Sequence, residues 1–347
     1  MHLTLLIPDL LWPEPGDAET LASLACPSLE KWLGRSRLAR QERHPMETVL
    51  AWQLGLGDQG LAACRLLGEP NAPAPGDTTW YSADPIHLQF HHERIILGDA
   101  SLLELEAGEV EALVESLNRS FPDLGRFHAP HPRRWYLEAA AGLEIPPLPP
   151  LSAAAGRQLG ALMPESPPLS RLMNELQMLL HTHPVNQARE GRRQPLINGL
   201  WLWGGGVLPT ARECRHDAVL GSHPLALGMA RHLRLPARPA PASLTELLQN
   251  PTCQHPLVLL ENLVAPTLIE DGDAWKTSLE QMERDWFAPL SSALGHGIDS
   301  LELVCPTAFG VLRWQGRSQD RWKFWKSPQP LASLIRKLAA QAQETQS

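Results

Sequence analysis

Two stretches of this chain hold residue types that could do chemistry. His183-Pro184-Val185-Asn186-Gln187-Ala188-Arg189 is followed by Pro195-Leu196-Ile197-Asn198-Gly199-Leu200-Trp201-Leu202-Trp203-Gly204-Gly205-Gly206. Glycines at the end of an apolar run let backbone N–H groups approach a phosphate closely. The same run is also an ordinary turn, and it lacks both the Lys-Ser/Thr of a P-loop and the spacing of a dinucleotide fold. His181-Thr182-His183, and His87 with His91-His92, invite a metal reading because imidazole is a common zinc ligand. On a helix, two rings at that HxH spacing point roughly 200° apart, and no two further ligands stand out, so these read as ordinary histidines. Ser28 has no His or Asp partner at a recognisable spacing and reads as the N-cap of the following helix, not a nucleophile. Of the twelve tryptophans, Trp201 and Trp203 share one strand face and Trp322 and Trp325 lie near the end. Core packing is the default for them, with stacking on a base or sugar the alternative.

The elements that must position these groups can be read from periodicity. Leu3 to Ile7 is a continuous apolar run ended by Pro8, the pattern of a strand covered on both faces of a mainly parallel sheet. Leu257 to Leu260 and Leu301 to Cys305 repeat it, and Trp275, Leu279, Met282, Trp286 and Leu290 between them fall at helical spacing, giving a βαβ unit. Residues 73–168 have a different texture. Ile86 to Phe90 and Arg94 to Leu97 read as strands, Val110 to Leu117 as an amphipathic helix, and Pro-rich margins flank them on both sides. Leu169 to Leu180 restarts the core as a helix. Val311 to Trp314 and Arg321 to Trp325 read as a hairpin about Gly316, and Leu331 to Leu338 as a closing helix. The division is therefore a core α/β domain over residues 1–72 and 169–347, interrupted by a smaller inserted α+β domain over 73–168.

Composition bounds the function. A 347-residue chain with 43% hydrophobic and 20% charged residues is globular and long enough for two domains. A net charge of −8 argues against a nucleic-acid partner, which calls for a clustered basic face; only Arg189 to Arg193 and Lys323 to Lys326 are locally basic. The five cysteines are scattered without a CxxC pair, so neither a disulfide framework nor a zinc ribbon is indicated. No apolar run approaches the roughly 20 residues that span a bilayer, and the opening lacks the basic region of a signal peptide. A cytoplasmic protein with no membrane partner is expected.

The His183 to Gly206 stretch resembles the "HPvN..R…PaN.iWlWGqG" signature of the archaeal-type, cofactor-independent phosphoglycerate mutases of the alkaline phosphatase superfamily. Pro27 to Leu33 is similar to that family's early "PNLDrLA", and Leu105 to Leu117 to the helix of its inserted domain. The bacterial RpfE-type regulatory proteins are closer still, in Leu6-Ile7-Pro8 with Leu10-Leu11-Trp12-Pro13, in Ala83-Asp84-Pro85, in Asn198 to Gly206 and in Asp285 to Leu290. The resemblance implies an alkaline phosphatase-like covered sheet and, in active members, two divalent metals that activate a serine for phosphoryl transfer.

Against that pattern the chain departs where the chemistry lies. Asp9 stands near the place of the first metal aspartate. The nucleophile position falls on Met46-Glu47, with Thr48 the nearby hydroxyl, and methionine cannot be phosphorylated. Glu261-Asn262-Leu263-Val264-Ala265-Pro266 replaces "pDeaGH", and Val304-Cys305-Pro306-Thr307 replaces "DHPTP", where a bare Cys305 reads as a buried apolar residue. The substrate-facing half is kept: Asn186, Arg189, Asn198, Gly204 and Gly205, with Arg134 and Arg133 near the family's "sYR". Arginine forks suit phosphate or carboxylate, so the expectation is a small phosphorylated or carboxylated anion bound between the domains, against the alternative that these residues hold the domain interface together. The leading reading is a non-catalytic regulatory or sensing protein with no cofactor. Its alternatives are a mutase or phosphatase with a relocated Mn or Mg site, at Asp9 with Asp58 and a histidine, and a protein-interaction module with a protein partner.

Overall fold

The computed structural model describes residues 1–347 except 23, 92–93, 99–102, 250 and 347. The strands are β1 (His2–Leu6), β2 (Arg37–Gln41), β3 (Trp80–His91), β4 (Arg94–Gly98), β5 (Gly125–His131), β6 (Arg134–Ala139), β7 (Gly199–Gly206), β8 (Ala218–Leu220), β9 (Ala237–Arg238), β10 (Pro256–Leu259), β11 (Ser300–Thr307) and β12 (Gly310–Arg317). The chain divides into two compact units, one of Met1–Leu54, Glu213–His223 and Arg234–Ser347, the other of Gly55–Arg212 and Pro224–Leu233.

The first unit is built on a seven-stranded sheet of order β2-β12-β11-β1-β10-β8-β9. From β11 to β9 the strands are parallel, and β12 and β2 add an antiparallel edge. Leu3, Leu5 and Ile7 enter a core with Leu29 and Trp32 of the helix Pro27–Arg35, Trp275 and Leu279 of Gly272–Met282, and Leu331 and Ile335 of Leu331–Gln346. Leu6, which alternates with them, is equally buried, so β1 is covered on both faces as its unbroken apolar run requires. Full burial of each such side chain is worth about 1.5–3 kcal/mol. The mixed α/β class with a mainly parallel sheet is thus as the sequence indicates.

Two local readings need correction. Ser28 is not the cap of its helix: the N-cap is Cys26, and the Glu283 carboxylate accepts from the N–H groups of Ser28 (2.8 Å) and Leu29 (3.0 Å). Glu283 opens a π-helical turn, Glu283–Phe287, and an acidic group at a helix N-terminus satisfies orphan donors and the dipole together. Nor do Val311 to Trp325 form a hairpin. β12 pairs instead with β11 and β2, and Ser318–Trp322 is a 3-10 turn.

The second unit is an antiparallel sheet, β4-β3-β6-β5 with β7 joined to β3, accompanied by the helices Leu61–Gly68, Ala107–Ser120, Pro167–His181 and Pro184–Gly191. It spans Gly55–Arg212 and Pro224–Leu233, so residues 73 and 168 both fall inside it. Close packing carries the helix Pro224–His232 into this unit, because Gly68 and Gly228 let it approach Leu61–Gly68 so closely that a Cβ on either would meet backbone of the other helix.

Candidate functional site

Crevices at the carboxyl ends of parallel strands are the usual ligand sites of open α/β sheets, and in the first unit these ends bring an acidic group together. Beyond β1, Asp9 has a left-handed backbone (φ 55), a conformation that Asp tolerates better than most residues. Its N–H donates to Pro306 O (2.9 Å) and its carbonyl accepts from Trp275 Nε1 (3.0 Å). Beyond β10 comes Glu261, with His223 Nε2 3.9 Å from its Oε1. Glu47, in the first turn of the helix Met46–Gln53, is buried. Burial pushes the Asp9 carboxyl up to about 6, Arg43 opposing and Glu47 adding to the rise. Burial, and then Glu47, push Glu261 up to about 7. Beside Glu261 the crevice opens to about 660 Å³ along Ser222, Asn262, Gln281 and Asp285. Such carboxyls can give and take protons near neutrality, but they repel an anion.

The end of β11 contributes no donor. Val304 and Cys305 are each 0% exposed, and burial raises the Cys305 thiol well above its ordinary value, so it stays a neutral apolar group as expected. Thr307 Oγ1 donates to Gly310 O (2.8 Å) and closes the turn into β12. Met46 opens its helix, and Thr48 behind it is buried. Asp58 is an exposed residue of the second unit. Among the described residues, no group of three or more His, Cys, Asp or Glu is placed to hold a metal ion.

The residues read as an anion pocket lie in the second unit, where each makes internal contacts. Arg189 is 1% exposed. Its Nε donates to Pro195 O (2.8 Å), and its Nη1 to Glu104 O (2.9 Å) and Glu109 Oε2 (2.7 Å). Asn186 Nδ2 donates to Leu180 O and Ile197 O, and its Oδ1 accepts from Ile197 N. Asn198 pairs with both backbone groups of Leu88. Arg134 forks onto the buried Glu69 (2.5 and 2.9 Å). The Gly204 to Gly206 run is packed by its own chain: Gly205 O accepts from Gly60 N (2.9 Å), and a Cβ on Gly205 would fall on the Tyr81 ring. His183 spends one ring nitrogen on Val185 N and the other on Ser116 Oγ, His87 bonds Leu196 O, and His92 lies outside the described residues.

Sequence reasoning missed the network that organises this unit. Arg65 pairs with Asp84 through both terminal nitrogens and donates to Tyr136 Oη (2.8 Å). Tyr136 in turn donates to Glu69 Oε1 (2.9 Å), and Trp203 Nε1 to Asp84 Oδ2 (2.8 Å). Burial alone would raise Glu69, but the bonds from Arg134 and Tyr136 hold it below its ordinary value. The available signal was a lone Arg in the apolar run Leu61 to Leu67, since a fully buried charge is rare unless paired. Glu47 and His223 gave no comparable signal.

No protein-family model matches the chain. Over 123 residues it is 28% identical to the 2,3-bisphosphoglycerate-independent phosphoglycerate mutase 2 of Methanothermobacter thermautotrophicus, a stretch covering 34% of this chain and 30% of that protein. The chain is similar to cofactor-independent phosphoglycerate mutases. Among solved structures it is similar in fold to the PH0037 protein from Pyrococcus horikoshii, with a TM-score of 0.50 at 13% identity over 91% of this chain and 87% of that one. The cofactor-independent phosphoglycerate mutase from Thermoplasma acidophilum aligns over the whole of both chains, with a TM-score of 0.46 at 16% identity. Among the described residues no helix is long and apolar enough to cross a membrane.

Proposed function

We infer that this chain is a phosphoglycerate mutase-like protein that no longer performs two-metal phosphoryl transfer and acts by binding, as a cytoplasmic regulatory or sensing protein of the RpfE type. The end of β11 carries this reading. A two-metal site needs anionic or imidazole donors converging from several strand ends, and here Val304 and Cys305 occupy that end inside the core. The residues present therefore do not fit a pair of divalent cations.

The test is a phosphoglycerate mutase assay in Mn²⁺ on protein purified without chelator, with its metal content measured in parallel. Metal-free protein without turnover is expected. Near two equivalents of metal with turnover would overturn the reading and require donors recruited from elsewhere.

A further inference from the structure

A second cavity, of about 310 Å³, opens in the first unit between the helices Pro27–Arg35 and Ala288–Ala293 and the turn Ser318–Trp322. The register of Arg317 opposite Ser300, the first residue of β11, sets it toward the amino ends of the parallel strands, the opposite end of the sheet from the acidic crevice. Its size is at the lower end of small-molecule pockets. Buried Trp32, Phe287 and Leu290 form apolar walls.

Four cations line it: Lys31, Arg35, Arg317 and Arg321. None of the four is in an ion pair with a carboxylate among the described residues. Asp320 is the acidic residue of the lining, and its carboxylate is engaged by Lys323 Nζ (2.7 Å) and Arg317 N (2.8 Å). The Glu283 carboxylate is likewise taken by the start of the helix Pro27–Arg35. Arg35 is held by one bond, Nη1 to Arg321 O (2.9 Å), while its Nε is buried with no hydrogen-bond partner. A buried donor without an acceptor costs about 1–3 kcal/mol. Arg321 is held by Leu294 O (2.7 Å) and its guanidinium lies over the Trp322 ring at 5.0 Å.

Four cations against the single carboxylate of Asp320 around an apolar cavity stand out in a chain of net charge −8. The lining includes Trp322, which sequence reasoning assigned to the core by default and which is 65% exposed. An exposed aromatic in the lining of a cationic pocket suits a binding site better than a core. We propose that this pocket binds a small amphipathic anion, a carboxylate or phosphate carried on an aromatic or short acyl group, with the anion on Arg35 and Arg317 and the apolar part against Phe287 and Leu290. The proposal rests on the reading above only in taking binding to be what the chain does. The pocket is assayed by its own affinity, whatever the mutase assay gives.

The experiment is calorimetric titration of the whole chain with hexanoate and with phenyl phosphate, and with hexanol and inorganic phosphate as probes of each half. Saturable binding of at least one amphipathic anion is expected, tighter than that of either half-probe. In the double variant Lys31→Gln, Arg317→Gln it should weaken by about tenfold or more, because charge-assisted hydrogen bonds are lost. Both side chains are exposed, so the melting temperature should hold. Absence of saturable binding, equal affinity in the double variant, or binding to phosphatidylglycerol vesicles without binding of the soluble anions would each overturn the proposal.

Discussion

Replacing Glu261 by glutamine keeps the outline of the side chain and removes its charge, so its effect on stability should change with pH. Below pH 4.5 the carboxyl is protonated in folded and unfolded chains alike and costs nothing. Between 4.5 and about 7 the unfolded chain releases the proton while the folded chain, whose Glu261 is lifted to about 7, retains it, so stability falls as pH rises. Above about 7 both forms are ionised and the loss is constant. At about 1.4 kcal/mol per pH unit the lift corresponds to about 3 kcal/mol, or roughly 6–12 °C of melting temperature for a unit of this size. Glu261→Gln should therefore melt like the wild type at pH 4 and well above it at pH 8. Asp9, lifted from 3.8 to about 6, leaves the variant a smaller slope of the same sign. Burial sets both values first, with Glu47 adding to the rise at Glu261 and, at Asp9, Arg43 opposing and Glu47 adding to it; His223 faces Glu261 at 3.9 Å. Thermal melts of both proteins at pH 4–8 in chelator check this. Parallel curves would refute the electrostatic account of the crevice. If Mn²⁺ reversed the wild-type slope, a cation would be holding the carboxylates ionised, and the non-catalytic reading would fall with it.

Arg189→Leu leaves Glu109 buried without its partner and should cost about 3–5 kcal/mol in urea unfolding, with part regained in Arg189→Leu, Glu109→Leu; a variant as stable as wild type would return Arg189 to the list of ligand-binding residues. Asp84→Asn removes the charge opposite the buried Arg65 and should cost a similar amount, read in the same way. Gly205→Ala forces a methyl group onto the Tyr81 ring and should lower stability by about 1–3 kcal/mol. Trp325→Ser, on an exposed side chain, should change stability by no more than about 0.5 kcal/mol, which a core role for that residue would exceed.

The fold of the first unit was legible because its strands are buried on both faces. An unbroken apolar run such as Leu3 to Ile7 has few other interpretations once Pro8 ends it. The limits of the second unit were not legible. They depend on Gly68 meeting Pro224 and Gly228 meeting Cys64, close approaches more than 150 residues apart along the chain that leave no periodic trace. The loss of donors was legible residue by residue, since it needs only the identities of Val304 and Cys305. What replaced them was not: the acidity of the crevice arises because Glu47 is brought beside Asp9 and Glu261 from a different helix.

The Asn186 to Gly205 motif has a structural use of its own in this chain. Its polar atoms are engaged by backbone and by Glu109, and its glycines are needed where chain meets chain. A motif that closes its own hydrogen bonds is held by the fold whatever the chemistry, because breaking any one bond strands a buried polar group at about 1–3 kcal/mol. Metal donors are constrained differently. Without a cation, a buried carboxylate or imidazole at the end of β11 would be a cost to folding, and Val304 with Cys305 removes that cost. The strand end can therefore become apolar while the signature stays intact, which is the combination this chain displays.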